Sequence, residues 1–525
     1  MELYSLCFVL LLLVSLILYY QWGGRSREKR VQWGILLGTS LLFYLSQGPK
    51  KLVFILTTSV IVFWGARVIA YIEDRVVDKE LSREEKKAIK KRKKKQERVI
   101  LLCVLLLSLL LLSYVKYFNL ILKCFSEITN SEFRPYSIIF PLGISFYTFQ
   151  SLSYILDVYN KKSKPEKSYL KFLLFISWFP QLLQGPINRY DSLSAELFSK
   201  HEFNHKQFQK ALLLILYGMV KKYALADMLI DLNNALIASI SSKTPGFVSV
   251  VSMVVYTFWQ YADFSGGIDM VMGISNLYGI DMLPNFRQPF FAQSVAEFWR
   301  RWHITLGSWM RDYVFYPLAV SKPVLSMSKY ASKKISVYAG RIAPAIVSNV
   351  IVFLLVGLWH GATANYIAWG LYNGMVISLG EILRPVNDKI KNKLHLGKSV
   401  SYYYNVIATF TLVMIGNAIE CRENLGLSVT ALWKIITDFD IKASLLCLKP
   451  IFADNVTFTS VLLTVCSFSI MFFVDICHEK RISLSEQLAK QNIFIRWLTY
   501  LVLILLVMLS FTRVTNGGGF AYANF

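Results

Sequence analysis

The chain has 525 residues, of which 55% are hydrophobic, with a formal net charge of +24 and a mean hydropathy of +0.44. That hydropathy excludes a protein built from one or two water-soluble cores, and lipid is the expected solvent for most of the chain. The positive charge would suggest nucleic acid in a soluble protein; here the basic residues lie between apolar runs, so no nucleic-acid partner is expected.

A membrane-spanning helix needs about 20 mostly apolar residues. Runs of that kind recur along the whole chain, at 3–20, 53–72, 99–122, 136–158, 169–183, 248–264, 346–359, 367–383, 402–419, 457–474 and 493–511, with 33–45 and 208–229 as additions. The expected fold class is therefore an all-α polytopic membrane protein of roughly eleven to thirteen helices. The first run has no basic residues before it and no small-residue cleavage site after it, so a retained helix is expected rather than a signal peptide.

The densest basic block, Glu84 to Lys95, is expected to be a short cytoplasmic loop, a topological anchor also drawn to anionic lipid. Counting outward from it, the patch from Arg25 to Arg30 lies inside and both termini lie outside. Seven cysteines, Cys7, Cys103, Cys124, Cys421, Cys447, Cys466 and Cys477, show neither a Cys-x-x-Cys pair nor a disulfide framework. No internal repeat is visible, no linker is long enough to separate soluble domains, and no metal site or Gly-rich phosphate loop is expected.

Between about residues 266 and 341 the apolar runs shorten and Gly, Pro, Trp and charges accumulate. Irregular backbone at membrane depth is tolerated only where protein or a water-filled cavity satisfies it, so a buried functional centre is expected there. Two histidines stand out. His303 follows Phe298-Trp299-Arg300-Arg301-Trp302, and His360 closes an apolar run in Gly357-Leu358-Trp359-His360-Gly361. An ionisable residue in such a run is a functional candidate, and histidine is suited to moving one proton near neutral pH. The alternatives are a hydrogen-bonded packing histidine at 360 and an interfacial aromatic belt around 303. His201, His205, His395 and His478 lie in polar segments and read as loop residues. Asp263 and Asp269 flank Gly266-Gly267, which suggests a helix break at the cavity wall, with the acids bonded to backbone or to Arg300, Arg301 or Arg311.

These segments resemble the bacterial branch of the membrane-bound O-acyltransferase family. The resemblance rests on Asp263-Phe264-Ser265-Gly266, Gly273-Ile274-Ser275, Pro284-Asn285-Phe286, Pro289-Phe290, Phe298 to His303, Asp312-Tyr313 and the Leu358-Trp359-His360-Gly361 motif, in that order. Upstream, Pro141 to Gln150, Phe179-Pro180-Gln181 and Gly185-Pro186-Ile187 extend it back to about residue 136. The resemblance implies an arched helical bundle with a central channel, His360 as principal catalytic histidine and His303 as the second, with Asp263, Arg300, Arg301, Asp312 and Tyr313 lining or supporting the channel. It further implies no bound cofactor, an activated acyl donor as co-substrate (acetyl-CoA or an acyl-carrier thioester), an extracellular SGNH-type esterase or acyltransferase partner, a cell-surface polysaccharide acceptor, and the bacterial plasma membrane as location. The family's Phe-Arg-Ala-Glu-like segment is replaced here by Cys421-Arg422-Glu423-Asn424, which leaves Arg422 a weaker match.

The ending Phe520-Ala521-Tyr522-Ala523-Asn524-Phe525 resembles a Phe-x-Tyr-x-x-Phe tail whose tyrosine carries an acyl group as a transient ester; the alternative is an interfacial aromatic anchor. The expected organisation is 1–135 as N-terminal helices with the basic loop, 136–384 as catalytic core, 385–515 as C-terminal helices and 516–525 as an extracellular tail. The expected activity is transfer of a small acyl group, acetyl rather than D-alanyl, across the membrane. The rivals are D-alanyl transfer to teichoic acid, a transporter or flippase for a lipid-linked sugar, and an inactive scaffold.

Overall fold

A computed structural model describes residues 5–24, 30–75, 82–361, 363–393, 397–422 and 424–512. Helices account for nearly all of the regular structure, and no strand occurs among the described residues. Among the described residues, five helices are long and apolar enough to cross a membrane: Pro49–Asp74, Arg83–Thr129, Val337–His360, Phe458–Glu479 and Ile493–Phe511. Their outward faces are apolar. Arg83–Thr129 buries Leu101, Val104, Ser108, Leu112 and Val115 but exposes Leu102, Leu106 and Leu110, and Ile493–Phe511 exposes Leu501, Leu505 and Met508. Such stripes are unfavourable in water and suited to acyl chains, so the chain is a multi-pass membrane protein.

Several boundaries depart from the sequence expectation. The basic block is not a loop: Ser82 and Glu85 form a reciprocal capping box that starts a 47-residue helix, Arg83–Thr129, running through the lysines into the apolar run,. The run 136–158 becomes helical only at Ile144, because Pro141 and Gly143, the latter at φ +70°, favour an irregular entry. The run 169–183 splits into Tyr169–Ser177 and Phe179–Gln184, since Pro180 suits the first turn of a new helix and not the interior of an old one.

The contacts define two compact units. One joins Met1–Leu212 to Val271–Leu283, and the other joins Leu213–Met270 to Pro284–Tyr522. The first is held together by an aromatic core that includes Tyr19, Phe43, Trp178, Phe179 and Tyr278. Polar pairs tie distant segments within it: Ser15 hydrogen bonds Tyr278, the Gln32 side chain donates to the His201 carbonyl at 2.7 Å and accepts from its N–H at 3.0 Å.

In the second unit the Gly266-Gly267 pair does not break its helix, and Gly246–Leu277 runs through it. A Cβ on Gly266 would lie 2.9 Å from the Gly218 carbonyl oxygen and 2.9 Å from the Lys222 nitrogen. The glycine serves close approach of two backbones. That approach delivers Lys221 and Lys222, on the π-helical segment Val220–Ala226, to the two acids. Lys222 Nζ lies 2.5 Å from Asp263 and 2.8 Å from Asp227, and Lys221 Nζ lies 2.6 Å from Asp269 and donates to Ser265 at 3.0 Å. The carboxylates thus find lysines on a neighbouring helix in place of the expected arginines, because buried charges need the counter-ion that packing brings nearest.

Candidate active site

The region where the apolar runs shorten folds into short pieces, as its composition predicts: Pro289–Phe291, Val295–Arg301, Ile304–Met310, Arg311–Phe315, Tyr316–Ala319 and Lys322–Lys334. Of these, Val295–Arg301, Ile304–Met310, Arg311–Phe315 and Tyr316–Ala319, along with Val337–His360 and Ala364–Lys393, contribute walls to a cavity of about 900 Å³. His303 and His360, 57 residues apart in sequence, both line it, with Trp299, Trp302, Trp369, Arg300 and Arg311.

His303 is fixed by its backbone. It sits at φ 45°, ψ 51° between Val295–Arg301 and Ile304–Met310, a left-handed conformation that costs a non-glycine residue on the order of 1–2 kcal/mol. The Pro284-Asn285-Phe286 segment holds the turn. Ile304 N–H donates to the Asn285 carbonyl at 2.9 Å. The Asn285 side-chain oxygen accepts from Thr305 N–H at 3.1 Å and from the Thr305 hydroxyl at 2.8 Å, and lies 3.2 Å from His303 Nδ1. Asn285 thus orients both the ring and the turn that carries it. The ring packs edge-on against Phe264, with centroids 4.9 Å apart.

His360 is the last residue of Val337–His360 and is buried. Its ring stacks on Tyr366 at 5.8 Å and meets Trp369 edge-on at 5.3 Å. The flanking glycines are what let Tyr366 come so close: a Cβ on Gly357 would lie 2.3 Å from the Tyr366 carbonyl oxygen, and one on Gly361 2.6 Å from the Tyr366 ring. Trp359 links the two histidines, 6.3 Å from the His303 ring and 4.7 Å from that of His360. The Trp299 N–H donates to Asn373 at 3.1 Å, which anchors the opposite wall.

The remaining expected residues divide by position. Arg300 lines the cavity. Arg301 turns away from it and pairs with Glu297 and Glu479, each at 2.7 Å, clamping the helix that precedes His303. Asp263 is buried with Lys222 and lies outside the lining residues, as do Asp312, paired with the exposed Arg311 at 3.0 Å, and Tyr313, packed on Trp309. Tyr522 and Glu423 lie outside the described residues. Arg422 is buried and donates to the Ala418 carbonyl at 2.6 Å; it does not line the cavity.

Sequence reasoning missed Glu420, Asn417 and Gln260, which all line the cavity. Gln260 donates to Glu420 at 3.3 Å. The signal was present for Glu420, an acid placed directly after the apolar run 402–419. Among the described residues no group of three or more His, Cys, Asp or Glu side chains gathers as a metal site would require.

Fold and site together define a polytopic helical membrane protein with two motif histidines on one aromatic-walled cavity. Residues 165–332 match the model of the MBOAT, membrane-bound O-acyltransferase family; the match includes His303 and ends before His360. Relatives extend the likeness. The chain is 33% identical over 322 residues to a protein of Pseudomonas syringae pv. tomato named "Probable alginate O-acetylase AlgI", covering 60% of this chain and 56% of the relative. It is 30% identical over 299 residues to a peptidoglycan O-acetyltransferase of Helicobacter pylori, covering 51% and 53%. It is 30% identical over 265 residues to a teichoic acid D-alanyltransferase of Bacillus subtilis, covering 49% and 63%. The chain spans a little over half the length of the first relatives it matches.

Proposed function

We propose that this protein is a membrane-bound O-acyltransferase that moves a small acyl group, acetyl in our reading, across the bacterial plasma membrane for O-acylation of a cell-surface polysaccharide. The observation that carries the proposal is the convergence of His303 and His360 on one cavity of about 900 Å³. An activated thioester, acetyl-CoA or an acyl-carrier thioester, enters from the cytoplasmic side. His360 removes the proton from an acceptor hydroxyl as its oxygen attacks the thioester carbonyl; the C–S bond breaks and the thiolate leaves with the proton. His303, set by Asn285, contributes the second imidazole.

Tyr522, in the tail that we place outside, is the first acceptor. A phenol, with a pKa of about 10, leaves an ester more readily than a sugar alkoxide, so the tyrosyl ester is a competent relay. An SGNH-type partner outside the membrane then transfers the group to the polymer. The acetyl reading is supported by the two relatives named for O-acetyl transfer. D-alanyl transfer is the second reading, and Glu420 favours it, since a carboxylate in the cavity wall would pair with an alanyl ammonium group.

The test is intact-protein and C-terminal-peptide mass spectrometry of wild type, His360→Ala and Tyr522→Phe from the native host, with ester hydrolysis suppressed. The reading predicts an acyl mass on Tyr522, identifying the group, that disappears in both variants. A tail that stays unmodified, with surface-polymer acylation surviving Tyr522→Phe, would remove the relay and leave direct transfer or transport.

A further inference from the structure

Glu420 closes the helix Lys398–Glu420 and sits half-buried in the wall of the cavity that holds His303 and His360. Two polar rungs join its helix to Gly246–Leu277: Asn417 donates to Thr257 at 3.0 Å, and one turn further on Gln260 donates to Glu420 at 3.3 Å. Among the described residues no lysine, arginine or histidine forms an ion pair with Glu420. Arg422, the nearest base in sequence, turns to the Ala418 carbonyl instead. Of the other charged groups on the cavity wall, Arg287, Arg300 and Arg311 are exposed. Arg311 pairs with Asp312, and Glu381 lies 3.9 Å from Arg384. A carboxylate withdrawn from water without a counter-charge is costly, and in a membrane protein it is a functional candidate.

A short run of contacts leads from Glu420 to His360. The Asn365 side chain, in the first turn of Ala364–Lys393, donates to the Ile419 carbonyl at 2.9 Å. That bond sets Tyr366 beside Glu420, near enough for the carboxylate charge to reach the phenol. The Tyr366 ring is the plate on which His360 stacks, with centroids 5.8 Å apart and planes 16° from parallel. One tyrosine thus touches the imidazole with its ring and lies within reach of the carboxylate. His360 also ends its own helix, where the backbone dipole favours a cation.

We infer, on the reading of His360 as general base, that Glu420 is the acid that serves it: the carboxylate stabilises the imidazolium formed when His360 takes the acceptor's proton. In that step the acceptor O–H proton passes to the imidazole and the acceptor oxygen bonds to the acyl carbon. The C–S bond then breaks, and the proton leaves His360 with the thiolate. Glu420 stays ionised throughout and touches no reacting atom; it is a positioning residue that acts on His360 through its charge. A negative charge attracts the imidazolium and not the neutral ring, so its effect is greater in the transition state than before it, and the barrier falls. An acetyl group carries no cation, which leaves the carboxylate to the imidazole; an alanyl ammonium would claim it.

The experiment follows the rate at which ester-linked acyl groups accumulate on surface polymer after the full chain is induced in a strain lacking its own copy, with the released group identified by mass. Wild type, Glu420→Gln, Glu420→Met, Glu420→Asp and His360→Ala are compared at matched membrane levels. Glutamine keeps the shape and the bond to Gln260 without the charge, whereas aspartate keeps the charge on a shorter stem. The expected result is acetyl as the released group, a loss of at least about tenfold in Glu420→Gln and Glu420→Met, and a smaller loss in Glu420→Asp. Glu420→Gln at the wild-type rate, or faster than Glu420→Asp, would overturn the inference in favour of shape or hydrogen bonding. Released D-alanine with the same losses would overturn it in favour of ammonium binding. A wild-type rate in His360→Ala would remove the general-base reading itself, a failure distinct from the other two because Glu420 would then have no imidazolium to serve.

Discussion

Replacing Lys222 with methionine tests the charge arrangement that packing built around Gly266. Lys222 is almost fully buried, and its ammonium is shared between Asp263 and Asp227, both buried. Methionine keeps much of the stem's length and removes the charge, which strands two carboxylates that have lost their common lysine. Breaking a buried ion pair from one side costs about 3–5 kcal/mol. At about 1.4 kcal/mol per factor of ten, the folding equilibrium falls by roughly two to three and a half powers of ten. The assay is reversible unfolding in mixed micelles of rising SDS fraction, followed by the fluorescence of the twelve tryptophans. Lys222→Met/Asp263→Asn should recover part of the loss, because a neutral amide is cheaper to bury than an unpaired carboxylate. Arg300→Gln and Arg311→Gln, at exposed positions, should stay within about 0.5 kcal/mol of wild type. The reasoning is refuted if Lys222→Met unfolds with wild type while either arginine variant is strongly destabilised.

Asn285→Ala should lower acyl transfer at least about tenfold with the protein still present in the membrane, because it releases the turn of His303 from three side-chain contacts,; surface-polymer ester content checks this, and wild-type content would make the contacts incidental. Gly266→Val should reduce the folded yield or destabilise by about 1–3 kcal/mol, since its side chain enters space held by the Gly218 and Lys222 backbone,. Gly380→Ala, with nothing within 4 Å of its added Cβ and a mid-helix position, should be neutral or stabilising by up to about 1 kcal/mol; the SDS titration measures both. Tyr522→Phe should abolish the acyl mass on the C-terminal peptide, leaving the folded yield unchanged.

Much of the architecture was legible because lipid imposes a long, continuous requirement for apolar side chains. The run 493–511 coincides with the helix Ile493–Phe511, and 33–45 lies within Arg30–Ser46. Leu425–Thr437 and Ile441–Asn455 escaped notice because Lys434, Asp438, Lys442, Lys449 and Pro450 interrupt their apolar pattern. The Gly266-Gly267 pair was misread for a different reason. Local propensity says break, whereas the approach of a second helix, set by residues some 40 positions earlier, says close packing. The lysine partners of Asp263 and Asp269 were hidden by the same distance in sequence. At the site, motif resemblance selected His303 and His360. The turn-holding role of Asn285 and the cavity position of Glu420 depend on which side chains face inward, and apolar patterning does not resolve that for a single polar residue.

The central claim is that His360 performs acyl transfer. Its most direct measurement is the ester-linked acyl group released by mild alkali from surface polymer of a strain lacking its own copy and supplied with wild type, His360→Ala or His303→Ala at matched membrane levels. Loss of a general base costs about 10²–10⁴ in rate, so His360→Ala should leave polymer ester at the level of the strain with no copy, and His303→Ala should fall well below wild type. Wild-type ester content in cells carrying His360→Ala would contradict the account and turn attention to a transport or scaffolding role.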